Sequence, residues 1–321
     1  MTTARTDAGR SIERAQQRVL LALLPGALTL LLLNGWGTLW QLILCLLSGI
    51  ACQVLSQSFK RGPALPPAET GSTLISAVLL GLALPALAPW WVALSACAFA
   101  IIMGKGLFGG YGRNLFNPAM LGYAFALISF PAALSQWPAE ASDLSSSLAQ
   151  VFGLAAPDGW SQATALDALR NNDRLTFTEL STRHPAFGVL GDARAQWAGL
   201  AFAGGGLWLL QQKIIRWQAP TGMLGALLVI SLLCWNGTGS DSHGSPLLHL
   251  FSGATLLAAF FIVTEPVSGP RHARAQLYFG IGAGLLTYLI RTWGSFPDGV
   301  AFAVLLMNLC VIRLERLGRA R

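Results

Sequence analysis

Apolar runs of bilayer-spanning length recur along nearly the whole chain, and they leave few folds open to it. They cover roughly residues 19–34, 37–56, 71–88, 90–105, 118–136, 195–211, 219–236, 246–264, 274–291 and 298–313. A spanning helix needs about 20 mainly apolar residues. Several of these runs are shorter, as tilted, broken or re-entrant segments are. Composition agrees: 54% of residues are hydrophobic and 11% charged, against about 25% charged in ordinary soluble domains. A membrane β-barrel would instead alternate apolar and polar residues in strands of about 10. The sequence therefore predicts an all-α polytopic membrane protein of about ten transmembrane helices.

Orientation follows from the basic residues, because Lys and Arg collect in cytoplasmic connections. With Arg5, Arg10, Arg14 and Arg18 inside, the inner connections carry Lys60 and Arg61, Lys105 and Arg113, Lys213 and Arg216, then Arg271 and Arg274. The tail adds Arg313, Arg316, Arg319 and Arg321, while Arg291 alone sits near an outer end. The net charge of +7 is thereby a feature of topology and gives no reason to invoke nucleic acid. The basic start followed by an apolar run outlines a signal peptide, but no small-residue cleavage site follows. It reads as a cytoplasmic tail and a first span. Cys45, Cys52, Cys97, Cys234 and Cys310 lie in or beside apolar segments without the spacing of a zinc or iron–sulfur site, and read as small buried hydrophobes.

A weak internal repeat organises the spans. TGSTLISAVLLGLAL from Thr70 pairs with TGMLGALLVISLL from Thr221, and AFAIIMGKGLFGG from Ala98 with AFFIVTEPVSGP from Ala259. Two five-span halves must face opposite ways, and such inverted repeats build sites from discontinuous helices. The expected organisation is a cytoplasmic tail (1–18), a first membrane repeat (19–136), a long outer loop (137–194), a second membrane repeat (195–313) and a cytoplasmic tail (314–321). The outer loop holds seven acids, Asp192 among them, against four arginines. It alone has room for an extramembrane site.

Several residues invite chemistry and have plainer explanations beside it. GKGLFGGYGRNLFNPAM (104–120) must break a helix, and its backbone can line a cavity or make a tight turn. Glu265 reads as a helix-end charge paired with Arg271 or Arg274, Asp298 as a helix-start acid, and Asn117 and Asn308 as interhelical hydrogen-bonders. His249 reads as an interfacial histidine. Two strings share Ser-x-Ala-Thr: DGWSQATALDALR (158–170) in the outer loop, where ALDALR reads as a short helix, and SGAT (252–255) inside an apolar run. A threonine that is to be esterified must be reachable, which favours Thr164. Thr255 reads as helix packing through small residues.

RNLFNPAMLGYAFALISFP (113–131), HLFSGATLLAAFFIVTEPVSGP (249–270) and PDGVAFAVLLMN (297–308) carry a family resemblance. The chain resembles the membrane proteins that include the D subunit of the Rnf electron-transfer complex and the B subunit of the sodium-pumping NADH:quinone reductase. Its short N-terminus lies nearer the Rnf branch. In that family FMN is attached through its phosphate to the threonine of a D-x-x-S/T-G-A-T motif. Asp158, Ser161, Ala163 and Thr164 match this motif, with Gln162 in place of glycine. The string at Ser252–Thr255 has His249 where the aspartate would be.

The resemblance implies covalent FMN on Thr164 and a role in relaying electrons between ferredoxin and NAD, coupled to ion movement across the bacterial inner membrane. The loop would be periplasmic and both termini cytoplasmic. The NAD chemistry would belong to a partner. Implied partners are the A and E membrane subunits, the flavin-bearing G subunit, the iron–sulfur B and C subunits, a flavin transferase and membrane lipid. Analogy with the reductase leaves room for a second, noncovalent flavin between the spans. The contrasting reading is a self-contained solute or ion transporter, which inverted repeats and broken helices suit equally. The loop threonine in its motif is what separates the two.

Overall fold

Helices begin and end where prolines, glycines and polar caps interrupt the apolar runs. The structure, a computed structural model, describes residues 2–59, 67–154, 161–172 and 174–319. It comprises two compact units, Met1–Trp160 and Ser161–Arg321.

The first unit contains α1 (Thr2–Asn34), α2 (Gly37–Phe59), α3 (Pro67–Ala83) and α4 (Trp90–Ala98), the last continuing as a π-helical segment, Phe99–Gly106. Then come α5 (Pro118–Ser129), α6 (Pro131–Leu134) and α7 (Leu144–Val151). Nothing in the basic N-terminal stretch breaks a helix, so α1 runs through it into the apolar run. The run expected to reach residue 136 stops at Ser129 instead. Pro131 is the cause: it disfavours helical geometry at the residue before it, and Phe130 has φ −134° and ψ 52°. The core mixes larger residues such as Leu80, Leu84 and Ile101 with many small side chains, including Cys45, Ala77, Ala93, Ala96, Cys97 and Ala100, which let helix backbones approach closely.

Three sequence readings change here. Lys105 is not a loop charge but a buried residue of the π-helical segment. Its ammonium donates to Thr73 Oγ1 at 2.8 Å, Ser72 Oγ at 3.2 Å and the Glu69 carbonyl at 3.4 Å. Asn117 serves as the N-cap of α5, accepting from Met120 N at 3.1 Å. Cys310 is exposed.

The second unit contains α8 (Ala165–Arg170), α9 (Phe177–Arg183), α10 (Ala195–Gln211), α11 (Gln218–Leu233) and α12 (Pro246–Phe251). It continues with α13 (Thr255–Leu257), which runs into a π-helical segment, Ala258–Ile262, and ends with α14 (Ala273–Trp293) and α15 (Val300–Arg319). The 246–264 run is thus a broken helix, interrupted at Ser252–Ala254. The α11–α14 crossing is backbone against backbone. A Cβ on Gly222 would lie 2.6 Å from the Leu277 carbonyl oxygen, and one on Gly280 would fall on the Ala219 carbonyl. Asn308 donates to the Ser268 carbonyl at 3.1 Å. Glu265 accepts from Ser268 N at 2.9 Å, stapling the turn after the π-helical segment.

Arg10–Asn34 and Gly37–Ser58 are, among the described residues, the helices long and apolar enough to cross a membrane unaided. Pro67–Ala83, Trp90–Gly106, Pro118–Ser129 and Gln218–Leu233 are shorter apolar helices.

Candidate modification site

Thr164 is the N-cap of α8, in extended conformation with φ −68° and ψ 163°. Its hydroxyl has two partners on one residue. Oγ1 accepts from Asp167 N at 3.2 Å and donates to Asp167 Oδ2 at 2.8 Å. The first bond is ordinary capping. The second gives the hydroxyl proton a carboxylate to point at. Thr164 is half-buried, Ala163 exposed and Gln162 half-buried. Gln162 lies in a short extended segment, Ser161–Gln162. The positive-φ non-glycine residues among those described are Arg174 and Lys213. Gln162 therefore needs none of the conformational freedom that glycine would supply. Asp158 lies outside the described residues.

The apolar face of α8 holds this cap in place. Ala165, Leu166 and Ala168 are buried. Ala165 and Leu166 cluster with Ala186 and with Leu248 of α12, flanked by Leu169, Phe177 and Phe187. Burial pushes the Asp167 carboxyl above the usual carboxylate range. The Thr164 hydrogen bonds and the Arg170 charge oppose that shift, and the Asp298 charge adds to it.

One acid ties the cap to the broken helix. Asp192 Oδ2 accepts from Ala165 N, next to the cap, at 3.0 Å. Its Oδ1 accepts from Arg194 N at 3.0 Å and Ala195 N at 2.9 Å, where α10 begins. Its own N–H donates to Ser252 Oγ at 2.8 Å. Hydrogen bonds to a charged group are worth about 1.5–3 kcal/mol each, and orphaning buried donors adds to the loss. We expect Asp192→Ala to destabilise the α8 region by about 2 kcal/mol or more, read as faster hydrogen exchange at Ala165–Arg170. Unchanged exchange there would contradict this role.

Ser252 leads into a buried polar cluster of the unit. Gly253 has φ +60°, and a Cβ on it would meet Asp298 Oδ2 at 2.5 Å and Arg291 Nη2 at 3.0 Å. Arg291 is buried and donates to the carbonyls of His249 (2.7 Å) and Ser252 (3.2 Å), to Thr255 Oγ1 (2.8 Å) and to Asp298 Oδ1 (2.9 Å). Asp298 Oδ2 in turn accepts from Ala254 N at 2.8 Å. Thr255 is fully buried, and its hydroxyl donates toward the carbonyls of His249 and Ser252, both at 3.0 Å. The two look-alike strings thus differ in environment: one threonine caps a loop helix, the other fills the break in an apolar helix. His249 is buried, its Nε2 2.9 Å from the His243 carbonyl, and its ring packs edge-on to Tyr288.

Sequence reasoning missed Asp167 and the linking role of Asp192. The Thr-x-x-Asp spacing of Thr164 and Asp167 was available as a capping signature. Asp192 left no such signal, because it acts on backbone amides far along the chain.

A mostly helical chain with apolar helices and a capped polar segment defines a class rather than a protein. The comparisons go further. Residues 2–321 match the model of the NQR2, RnfD, RnfE family, and the chain belongs to that family. It is 53% identical over 306 residues to a protein of Pseudomonas aeruginosa (strain UCBPP-PA14), covering 94% of this chain and 89% of the relative. It is 50% identical over 323 residues to one of Ectopseudomonas mendocina (strain ymp), covering 100% and 94%. It is 42% identical over 332 residues to one of Citrobacter koseri (strain ATCC BAA-895 / CDC 4225-83 / SGSC4696), covering 97% and 95%. Each of these relatives is named as the D subunit of an ion-translocating oxidoreductase complex.

Proposed function

We propose that this chain is the flavin-carrying membrane subunit of an ion-translocating oxidoreductase complex, with FMN joined through its phosphate to Thr164. The observation that carries this reading is the environment of Thr164. It is a partly accessible hydroxyl, outside the apolar helices, with its proton directed at a carboxylate. The named relatives, matched over nearly their whole length, support the assignment to such a complex. FMN bound there would supply the redox chemistry. Thr164 would hold its phosphate, and the α8 cap, fixed by Asp192, would set where the group stands.

In this reading the complex carries electrons between ferredoxin and NAD and couples them to ion transport. The chain has about ten spans in two inverted five-helix repeats, in the inner membrane. The loop is periplasmic and both termini are cytoplasmic. The α-to-π transitions at Phe99–Gly106 and Ala258–Ile262 support the repeat, because they fall in the two strings paired by sequence. The partners are the A and E membrane subunits, the flavin-bearing G subunit and the iron–sulfur B and C subunits, with a transferase for maturation. A second, noncovalent flavin between the spans belongs to the same reading.

The test is ultraviolet fluorescence of the denatured full-length chain after coexpression with a flavin transferase. Wild type should fluoresce, Thr164→Ala should not, and Thr255→Ala should if it folds. Fluorescence retained in Thr164→Ala would overturn the assignment.

A further inference from the structure

We propose that α7 is an interfacial membrane helix, whose exposed apolar stripe lies in the headgroup region of the bilayer and holds the start of the long loop on the membrane surface. This requires only that α1 and α2 span the membrane, and it does not depend on the assignment of Thr164.

The sequence of α7 gives it two faces. Asp143 starts the helix, its carboxylate accepting from the backbone N–H groups of Ser145 and Ser146 at 3.3 and 3.4 Å. Leu144, Leu148 and Phe152 recur every fourth residue, which places them along one side of a helix. All three are exposed, as is Leu154 just beyond. Ser147 and Val151, on the adjoining strip, are buried, where α7 packs on α2. Ser146 and Gln150 lie on the opposite, polar side. Protein therefore covers only part of the apolar face, and a contiguous exposed stripe of this kind marks a contact surface.

The height of α7 decides what covers the rest. Arg10–Asn34 and Gly37–Ser58 are each long and apolar enough to cross a membrane, so the turn between them lies at a bilayer boundary. The start of α7 is clamped to that turn. Trp36 N donates to the Ser142 carbonyl at 3.0 Å, and Ser142 N and Oγ donate to the Asn34 carbonyl at 3.3 and 3.2 Å. Gly35 has φ +77°, and a Cβ on it would fall on the Ser142 backbone. At the other end of α7, the Phe152 ring meets Trp40 edge-on, with centroids 6.4 Å apart. Trp40 lies one helical turn beyond Trp36, about 6 Å further along α2 at 1.5 Å per residue. Interfacial helices bury their apolar faces about 5–10 Å into the boundary of headgroups and acyl chains.

The same boundary is marked by tryptophan. Gln41 Nε2 donates to the Ala88 carbonyl at 2.6 Å, which sets the start of α4 level with the first turns of α2. Trp36, Trp90 and Trp91 are all exposed there, as tryptophans at membrane–water interfaces are. Eight residues without Lys or Arg would hold poorly to a bilayer alone. The spans already keep α7 at the surface, so its contact with lipid is intramolecular in effect and needs little affinity of its own.

The test places the photocrosslinker benzoylphenylalanine at Leu148, at Phe152 or at Gln150 of the full-length chain. The chain is assembled in its complex and reconstituted in vesicles of phosphatidylethanolamine and phosphatidylglycerol. After irradiation, adducts of phospholipid mass should form at positions 148 and 152 and be lost at position 150. Crosslinks from 148 and 152 to another protein subunit would overturn the proposal, because a partner would then cover the stripe. Absence of any adduct at 148 and 152 would overturn it as well, as would equal lipid labelling at all three positions. If the probe at Leu148 prevents assembly, Leu144 on the same stripe carries it, with the same outcomes.

Discussion

Arg291→Met should be the most damaging single substitution in the second unit. The guanidinium side chain is 1% exposed and faces Asp298, whose side chain is 21% exposed. It also satisfies the carbonyls of His249 and Ser252 and the hydroxyl of Thr255, where the 246–264 run is broken. Methionine fills similar space and supplies no donor. The Asp298 carboxylate would keep the backbone donors of Ala254 and Val300, and the carbonyls of His249 and Ser252 would be left to share the single hydroxyl of Thr255. Removing one member of a buried pair costs about 3–5 kcal/mol, a large fraction of the stability of a whole domain. The expected result is a chain that fails to yield monodisperse protein in detergent, or melts far below wild type. Arg291→Lys should fall between, because one ammonium cannot reproduce the planar fork that reaches four acceptors. A melting temperature within a few degrees of wild type for Arg291→Met would mean that the break is held by something else.

Gly280→Leu should be similarly destructive for a different reason. The α11–α14 crossing brings backbones together, and any Cβ at Gly280 meets the Ala219 carbonyl rather than a side chain that can rotate away. Overpacking a core costs about 1–3 kcal/mol where side chains can shift, and more where they cannot. Here the helices must separate, and the contacts of Gly222 and Gly284 across the same crossing go with them. Gly225→Leu is the control. It lies on α11, and a Cβ there meets nothing within 4 Å. It should leave the elution profile of the chain in detergent unchanged while Gly280→Leu shifts it to aggregate. Equal behaviour of the two variants would contradict the close crossing.

These two sites show what the sequence makes legible and what it hides. Helix positions follow from apolar runs, whereas the stop before Pro131, the cap at Asn117 and the break at Gly253 do not, because those residues sit inside or beside runs that hydropathy alone treats as continuous. Arg291 looked like a stray outer charge because its partner Asp298 lies beyond a turn, and its other acceptors belong to a helix break some forty residues upstream. Lys105 looked like a loop charge because the π-helical segment that buries it has no distinct composition. The candidate site was legible in the same uneven way. Thr164 stands out by its motif and its polar surroundings, and its capping partner Asp167 is readable from three-residue spacing. Asp192 was not, since it joins the amide of Ala165 to the hydroxyl of Ser252 across sequence separations of 27 and 60 residues.

The most direct measurement is peptide mass spectrometry of the wild-type chain, coexpressed with a flavin transferase. The prediction is a single FMN-sized increase in mass on the peptide that contains Thr164, localised to that residue and absent from peptides that contain Thr255. An unmodified Thr164 in a chain that folds and meets an active transferase, or the same increase on any other residue, would contradict the assignment.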